Sequence, residues 1–453
     1  MKRKLSTLVI LLAIAAVAVT LRAPRNPAAY DVTGFGVLPA LVNGRVKPLD
    51  TVARTSLLML QGRQRLTAAD GRGVTPEEWL LDMLFSPAVA DHYSVFEIVH
   101  PDMLAMLELR TESGQGGKRF SLHQLLPKIA ELDRQAKLAD ATEAPLRSHF
   151  QRAVLQLRNS VALYQRLQHS LSMPGSPDFL DRLARLEAVL PAGTAAVQAA
   201  RAGQPHDGAH ANLMLELARS FSVMDAYGYL HLIPPPHGSP DGTDWKTAGG
   251  SWNDALGTGV IDPTAAAYAG IGRAWRMHQP EVFNEQVKQL RGKFDAAMPP
   301  VMRRTGIEAR FNVAQPFTTS MVMYVLAFLV GVASWLRWPE SLTRIAFGLL
   351  AIAFVLATAG IVARMWLEGR PPVTNLYSSA LFVGWGAVAI CVVLEAVYRN
   401  AMGTVAAGLI GFATLVIAHH LALGGDTMEM MRAVLDSNFW LATHVVTIAV
   451  GYS

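Results

Sequence analysis

The sequence is poor in the residues that carry redox and covalent chemistry. Its 453 residues include one cysteine, Cys391, set in an apolar run. A lone cysteine closes no disulfide within the chain, and without a Cys-x-x-Cys pair the chain does not perform thiol exchange by itself. It contains no Cys-x-x-Cys-His either, so it is not a c-type cytochrome. Charge is scarce as well. Asp, Glu, Lys and Arg make up 17% of the residues, against roughly a quarter in soluble domains. The net charge of +5 is spread among acids with no run of Lys and Arg, which gives no reason to expect a nucleic-acid partner.

What is abundant is apolar sequence, 51% of the chain, and it is unevenly placed. Residues 1–22 open with Lys2, Arg3 and Lys4 and continue as an apolar stretch from Leu5 to Leu21. That pattern predicts an N-terminal signal anchor with its cations on the cytoplasmic side and the following residues exported. Ala16-Val17-Ala18 resembles a cleavage site, but the apolar stretch runs past it, so an uncleaved anchor is expected.

Residues 23–316 hold nearly all the charge and read as a mostly helical extracytoplasmic domain. Asn43-Gly44 marks a turn. Asp50 is expected to cap a short helix from Thr51 to Leu60 that Gly62 closes. Around residues 121–141, 144–171 and 179–203, apolar residues recur at steps of three and four, the signature of amphipathic helices. Helices resume from about Asp262 to Met298, after a Pro/Gly-rich loop near residues 232–252. His206 and His210 stand four apart, but Pro and Gly around them argue against one helical face holding a metal. No nucleophile–base or carboxylate pair stands out.

From residue 317 the chain turns into apolar runs near the roughly 20 residues that cross a bilayer as helix. Phe317–Leu336, Ile345–Ala363, Tyr377–Leu394 and Ala401–Leu421 read as four spans, and a fifth begins near Phe439. The fold class is therefore all-α: a polytopic transmembrane helical bundle joined to a large helical domain. Counting outward from the anchor puts Arg337, Arg344 and Arg399 in the cytoplasm and Arg364, Arg370 and Arg432 outside. Interfacial snorkelling explains the outer arginines; an anion at the outer face is the functional alternative.

Three histidines fall in this half. His444 lies about six residues into the last run, some 9 Å along a helix, where Ser437 or Asn438 would cap the helix. Three- and four-residue steps put Ser437, Trp440, Leu441, His444 and Thr447 on one face. His419 and His420 end the preceding span. Ionisable groups in membrane segments are functional candidates, and imidazole ligates iron; a single interfacial histidine bonded to a neighbour is the plainer alternative for each.

Two stretches sharpen the choice. Gly369–Trp385, GRPPVTNLYSSALFVGW, resembles a signature of the CcsA/ResC family of cytochrome c biogenesis proteins, in which a Pro-Val-x-Asn-x-Tyr-Glu-Ser-like segment opens a transmembrane helix. Residues 431–453, MRAVLDSNFWLATHVVTIAVGYS, resemble the family's later Leu-x-Ser-x-Trp-Leu-x-x-His-Val run. Ile307–Phe328 and the NGRVKPLDTVAR segment are similar to parts of long family members that carry an exported domain first. Ser378 stands where many members have Glu, Phe439 adds a residue between Ser437 and Trp440, and the family's Trp-rich WWD loop is absent. That loop follows the helix inside which this chain stops, so a fragment of a longer protein is expected.

The resemblance implies haem b as substrate or transient ligand, with His444 as one axial ligand to its iron and the partner ligand beyond Ser453. His420 is a weaker candidate for the iron. Trp440 and Trp385 would line the slot, with interfacial aromatic anchoring the plainer alternative for both; Arg370 and Arg432 would meet the propionates, and Asn375 and Tyr377 belong to the motif itself. It further implies attachment of haem to Cys-x-x-Cys-His apocytochromes, possession of a CcsB/ResB-like membrane partner, a thiol-reducing protein, and residence in the bacterial cytoplasmic (inner) membrane. A haem lyase role rests on the resemblance alone. The rival readings are a membrane-anchored sensor, a transporter, and a b-type haem electron-transfer subunit in which His420 and His444 pair.

Overall fold

Helices dominate the chain because its apolar residues repeat at helical steps in the first two thirds and fill whole helices in the last. In a computed structural model the described residues are 2–21, 29–109, 118–173, 176, 179–184, 186–235, 244–429, 439 and 441–453. The chain divides into two compact units, Asn26–Thr305 and Met1–Arg25 with Gly306–Ser453.

In the first unit the periodic stretches form the helices Ile129–Asp140, His149–Gln168, Leu186–Arg201, Pro263–Arg276 and Pro280–Ala297. Several starts are explained by capping boxes: Thr75 with Glu78, Ser121 with Gln124, and Ser148 with Gln151 exchange side-chain and backbone bonds, each satisfying two helix-end N–H groups. The inner faces of these helices and of Gly208–Tyr227 and Ala248–Thr258 bury Trp79, Trp252, Tyr164, Tyr268, Phe85 and Phe221 almost completely.

Two details differ from the sequence expectation. Asp50 does not cap its helix. The helix starts at Leu49 after Pro48, and Asp50, inside the first turn, accepts from Arg54 Nε at 2.8 Å while Arg54 also reaches Glu77. Burial of that pair overrides the local capping preference. The unit also contains a small antiparallel sheet of Pro39–Val42, Arg45–Pro48, His231–Ile233 and Lys246–Thr247. Its first hairpin turns at Asn43 and Gly44, both in the left-handed region with φ of 52° and 77°, the geometry that tight hairpins favour.

The second unit is a helical bundle. Four helices among the described residues are long and apolar enough to cross a membrane. We refer to Pro316–Leu336, Pro339–Glu368, Leu376–Tyr398 and Met402–Ala422 as the first to fourth spans; the first continues from the preceding Pro299–Ala314 helix. The Lys2–Thr20 helix lies against the second span, with the Ser6 hydroxyl donating to the Ser341 carbonyl at 3.4 Å.

Between lipid-soluble helices close approach replaces the hydrophobic effect, and glycine permits it. A methyl group at Gly408 would lie 2.9 Å from the Tyr324 carbonyl oxygen, and one at Gly411 would lie 2.9 Å from the Tyr324 ring. At one end of the bundle the buried Glu395 carboxylate accepts from the Ala401 and Thr404 N–H groups at 2.9 and 3.1 Å. The third span thus supplies the acceptor for N–H groups at the start of the fourth, which no helix can satisfy by itself.

Candidate functional site

The other end of the second and third spans carries the motif residues. Gly369 ends the second span in the left-handed conformation, its N–H bonded to the Met365 carbonyl, as glycine does after a helix. After Pro371 and Pro372 the chain re-enters a helix at Leu376. Asn375 caps that helix, accepting from the Ser378 N–H at 2.9 Å. Ser378 answers by accepting from the Thr374 and Asn375 N–H groups at 3.0 and 2.9 Å. A glutamate at this third helical position is the ordinary capping-box partner. Ser378 performs the same reach-back bond with a shorter side chain, so the departure at this position keeps the cap.

Arg364 is the centre of this end, and it is not a snorkelling side chain. It is 4% exposed. Its guanidinium donates to the Thr427 hydroxyl at 2.8 Å and the Thr427 carbonyl at 2.7 Å, pairs with Glu368 at 2.9 Å, and lies 4.7 Å from the centre of the Tyr377 ring. Glu368 also accepts from the Thr374 hydroxyl. The amide of Asn375 donates to the Thr427 and Glu429 carbonyls at 2.8 and 3.2 Å. Residues 364–378 are thereby locked to residues 427–429, more than 50 positions on from Asn375, around one buried cation. Ile361, Arg364, Glu368, Pro372, Ser378 and Leu381 surround a void of about 10 Å³, space for about one water.

Trp385 lies within the bundle. Its ring stacks beside Phe354 and Phe382 at centroid distances of 5.7 and 5.6 Å, and its Nε1–H donates to Thr358 Oγ1 at 2.8 Å. Val445, Val446 and Ala449 pack in the same cluster with Val373 and Phe382, so the last segment runs along the third span. A methyl group at Gly386 would lie 2.5 Å from Ser453 Oγ. The nine residues from Ser453 back to His444 cover about 13 Å of helix, the length that separates Gly386 from Tyr377.

His444 is exposed and sits in a π-helical turn, Leu441–Val445. Trp440, Ser437, Asn438 and Arg432 lie outside the described residues. His420 is exposed and bonded through Nδ1 to its own Val416 carbonyl at 3.0 Å, with the His419 ring 6.3 Å away. No hydrogen bond or ring contact joins it to His444 among the described residues, and none of these holds a group of three or more His, Cys, Asp or Glu side chains suited to a metal ion. Arg370 is partly exposed next to the capped turn. In the first unit, His206 precedes the Gly208–Tyr227 helix that contains His210, and Asp207 between them bonds His210 Nδ1 at 2.7 Å, so the two do not share a helix face.

The geometry brings together Asn375 and Tyr377 through Arg364 and Thr427, and Trp385 with the residues that follow His444. Sequence reasoning missed Arg364, Glu368, Ser378 and Thr427 as parts of one assembly. The available signal was an Arg and a Glu four residues apart in an apolar helix, a pair that stabilises on one face and is rarely placed in a membrane segment without a task.

No family model matches the chain. It is 28% identical over 134 residues, 28% of its length and 42% of the relative's, to a cytochrome c biogenesis protein CcsA of a Synechococcus species. It is 26% identical over 136 residues, 30% of its length and 49% of the relative's, to the protein HemX of Brevibacillus brevis. It is 28% identical over 152 residues, 32% of its length and 16% of the relative's, to the protein NrfI of Wolinella succinogenes. The chain spans less than half the length of these relatives. It is an all-α polytopic membrane protein, and in part of its sequence it is similar to CcsA-type cytochrome c biogenesis proteins.

Proposed function

We propose that this chain is a membrane component of cytochrome c maturation that holds haem b near the extracytoplasmic face of a bacterial cytoplasmic membrane and presents it to Cys-x-x-Cys-His apocytochromes. The similarity to proteins named for cytochrome c biogenesis supports the process. The observation that carries the site is His444: an exposed imidazole on a π-turn, a device frequent at functional sites, next to residues packed on Trp385.

The donor set fits haem in a limited way. One imidazole supplies one axial nitrogen, and among the described residues nothing places a second beside it. Haem supplies the iron that His444 would grip and the porphyrin that becomes attached to the apocytochrome. The residues of this chain do the positioning. His444 would fix the iron at one height along the third span. Arg370 would meet a propionate. Arg364 is committed to Glu368 and Thr427, so its part is to hold the capped end rigid rather than to bind the anion. Asn375 and Tyr377 act through that same lock, and Trp385 shapes the wall through its stack with Phe354 and Phe382. Held haem would then meet the thiols at a set angle, which is catalysis by positioning. The working assembly includes a CcsB/ResB-like membrane partner, a thiol reductant that keeps the apocytochrome cysteines reduced, and a haem lyase activity to which this chain contributes.

The test is the absorption spectrum of protein purified from haem-replete cells. His444→Ala removes or shifts the Soret band, and His444→Cys changes the ligand and moves the band again. A wild-type chain that carries no haem, or an Ala variant with an unchanged spectrum, would falsify the assignment of His444.

A further inference from the structure

The Asn26–Thr305 unit contains a cavity of about 740 Å³, within the range of small-molecule sites. Tyr30, Phe85, Tyr93, Phe179 and Trp275 contribute aromatic rings to its wall, and Asp82 lies among them. Tyr30 and Trp275 meet edge to face at a centroid distance of 4.8 Å. Gly272 lets its helix close on this wall, since any side chain there would collide with Phe85. His278, at the rim, is held in the left-handed region with φ of 52°, a conformation that persists only where surrounding structure imposes it.

Asp82 is the unusual member. It is 8% exposed, and its oxygens accept from Trp275 Nε1–H at 2.9 Å and from Tyr93 O–H at 2.7 Å. Both donors are neutral. Among the described residues no Lys, Arg or His forms an ion pair with it, although Arg72 and Arg276 also line the cavity; Arg72 pairs with Glu78 at 3.4 Å. A carboxylate has about four acceptor positions, so two of them remain after Trp275 and Tyr93 are served. Buried charges are normally paired, and burial pushes the Asp82 carboxyl above its ordinary range. The groups facing it are Tyr93, Trp275, Arg72 and Glu78.

We propose that this cavity is a binding site for an organic cation, an apolar ring or chain ending in a protonated amine, with Asp82 receiving the ammonium and the Tyr30–Trp275 wall receiving the apolar body. The aromatic faces add cation–π attraction, and the ammonium gives Asp82 the direct ion-pair partner that neither lining arginine supplies. A carboxylate-bearing ligand of the same shape, placed the same way, meets like charge at Asp82. This site is independent of the haem reading, because Asp82 and Trp275 take no part in it.

The experiment is calorimetric titration of the full chain in lipid nanodiscs with tryptamine, and with indole-3-propionate as the carboxylate counterpart. Tryptamine binds, and indole-3-propionate binds at least about tenfold more weakly. Asp82→Asn keeps both bonds in kind, because the amide oxygen accepts from Trp275 and the amide nitrogen donates to Tyr93 oxygen. It lowers tryptamine affinity by about tenfold or more. Val89→Trp, at an exposed position of the lining, blocks the cavity without touching Asp82, so it reads the site even if the Asn variant folds poorly. The proposal is overturned if neither indole binds at millimolar concentration, if the two bind equally, or if the Val89→Trp chain binds tryptamine as the wild type does.

Discussion

The lock around Arg364 supports a quantitative prediction. The Arg364 and Glu368 side chains are 5% and 7% exposed, so Arg364→Gln takes from a buried carboxylate the guanidinium that pairs with it at 2.9 Å. Breaking such a pair costs about 3–5 kcal/mol. Glu368→Gln costs less, because Arg364 keeps both bonds to Thr427. Replacing both with methionine removes the charge problem altogether, and the Thr427 carbonyl keeps the Asn375 amide as a donor. Volume-matched replacement of a buried ion pair is often neutral. The double variant should therefore be more stable than Arg364→Gln, and a cycle of single and double methionine variants should show a coupling of about 2–3 kcal/mol. Arg364→Lys should fall between, since an ammonium keeps the charge but not the planar fork or the stack on Tyr377. Reversible unfolding in mixed detergent micelles, followed by circular dichroism, supplies each free energy. A coupling below about 0.5 kcal/mol would refute the claim that these two charges hold that end of the bundle, as would an Arg364→Gln chain whose residues 424–429 resist protease as well as the wild type.

Gly408→Leu should prevent the first and fourth spans from closing, since even a methyl group meets the Tyr324 carbonyl; the expected loss is about 1–3 kcal/mol or more from overpacking, and unchanged unfolding would show that the helices do not meet there. His231, half-buried in the small sheet, has its imidazole pushed below the ordinary value of 6.5 by burial. The unfolded chain then takes up a proton that the folded one refuses, so this contribution to stability is complete above pH 6.5 and is lost as pH falls below it. His231→Gln should flatten the pH dependence of thermal unfolding in that window; an unchanged slope would assign it to other groups.

The amphipathic helices of the first unit were legible because periodic apolar residues and capping residues are local signals. The sheet was not: Lys246–Thr247 is 2 residues long and His231–Ile233 is 3, too short for alternation to register, and His231 pairs with Leu41, far back in the chain. The second to fourth apolar runs fall in separate helices, but the second helix extends to Glu368, since Glu368 is paired and buried instead of exposed at a helix end. Asn375 could be named from its motif, whereas its bond to Thr427 crosses 52 residues and no local pattern announces it. The same holds for the Asp82 cavity, whose Trp275 donor is 193 residues away.

The Glu395 cap has a consequence for how the chain is made. Until residues 401–404 have been synthesised, the Glu395 carboxylate at the end of the third span has no N–H groups to receive, and an unpaired carboxylate is costly in hydrocarbon. Insertion of the third span by itself is therefore disfavoured, and the third and fourth helices should leave the translocation machinery as a hairpin, already joined by the bonds that Glu395 makes.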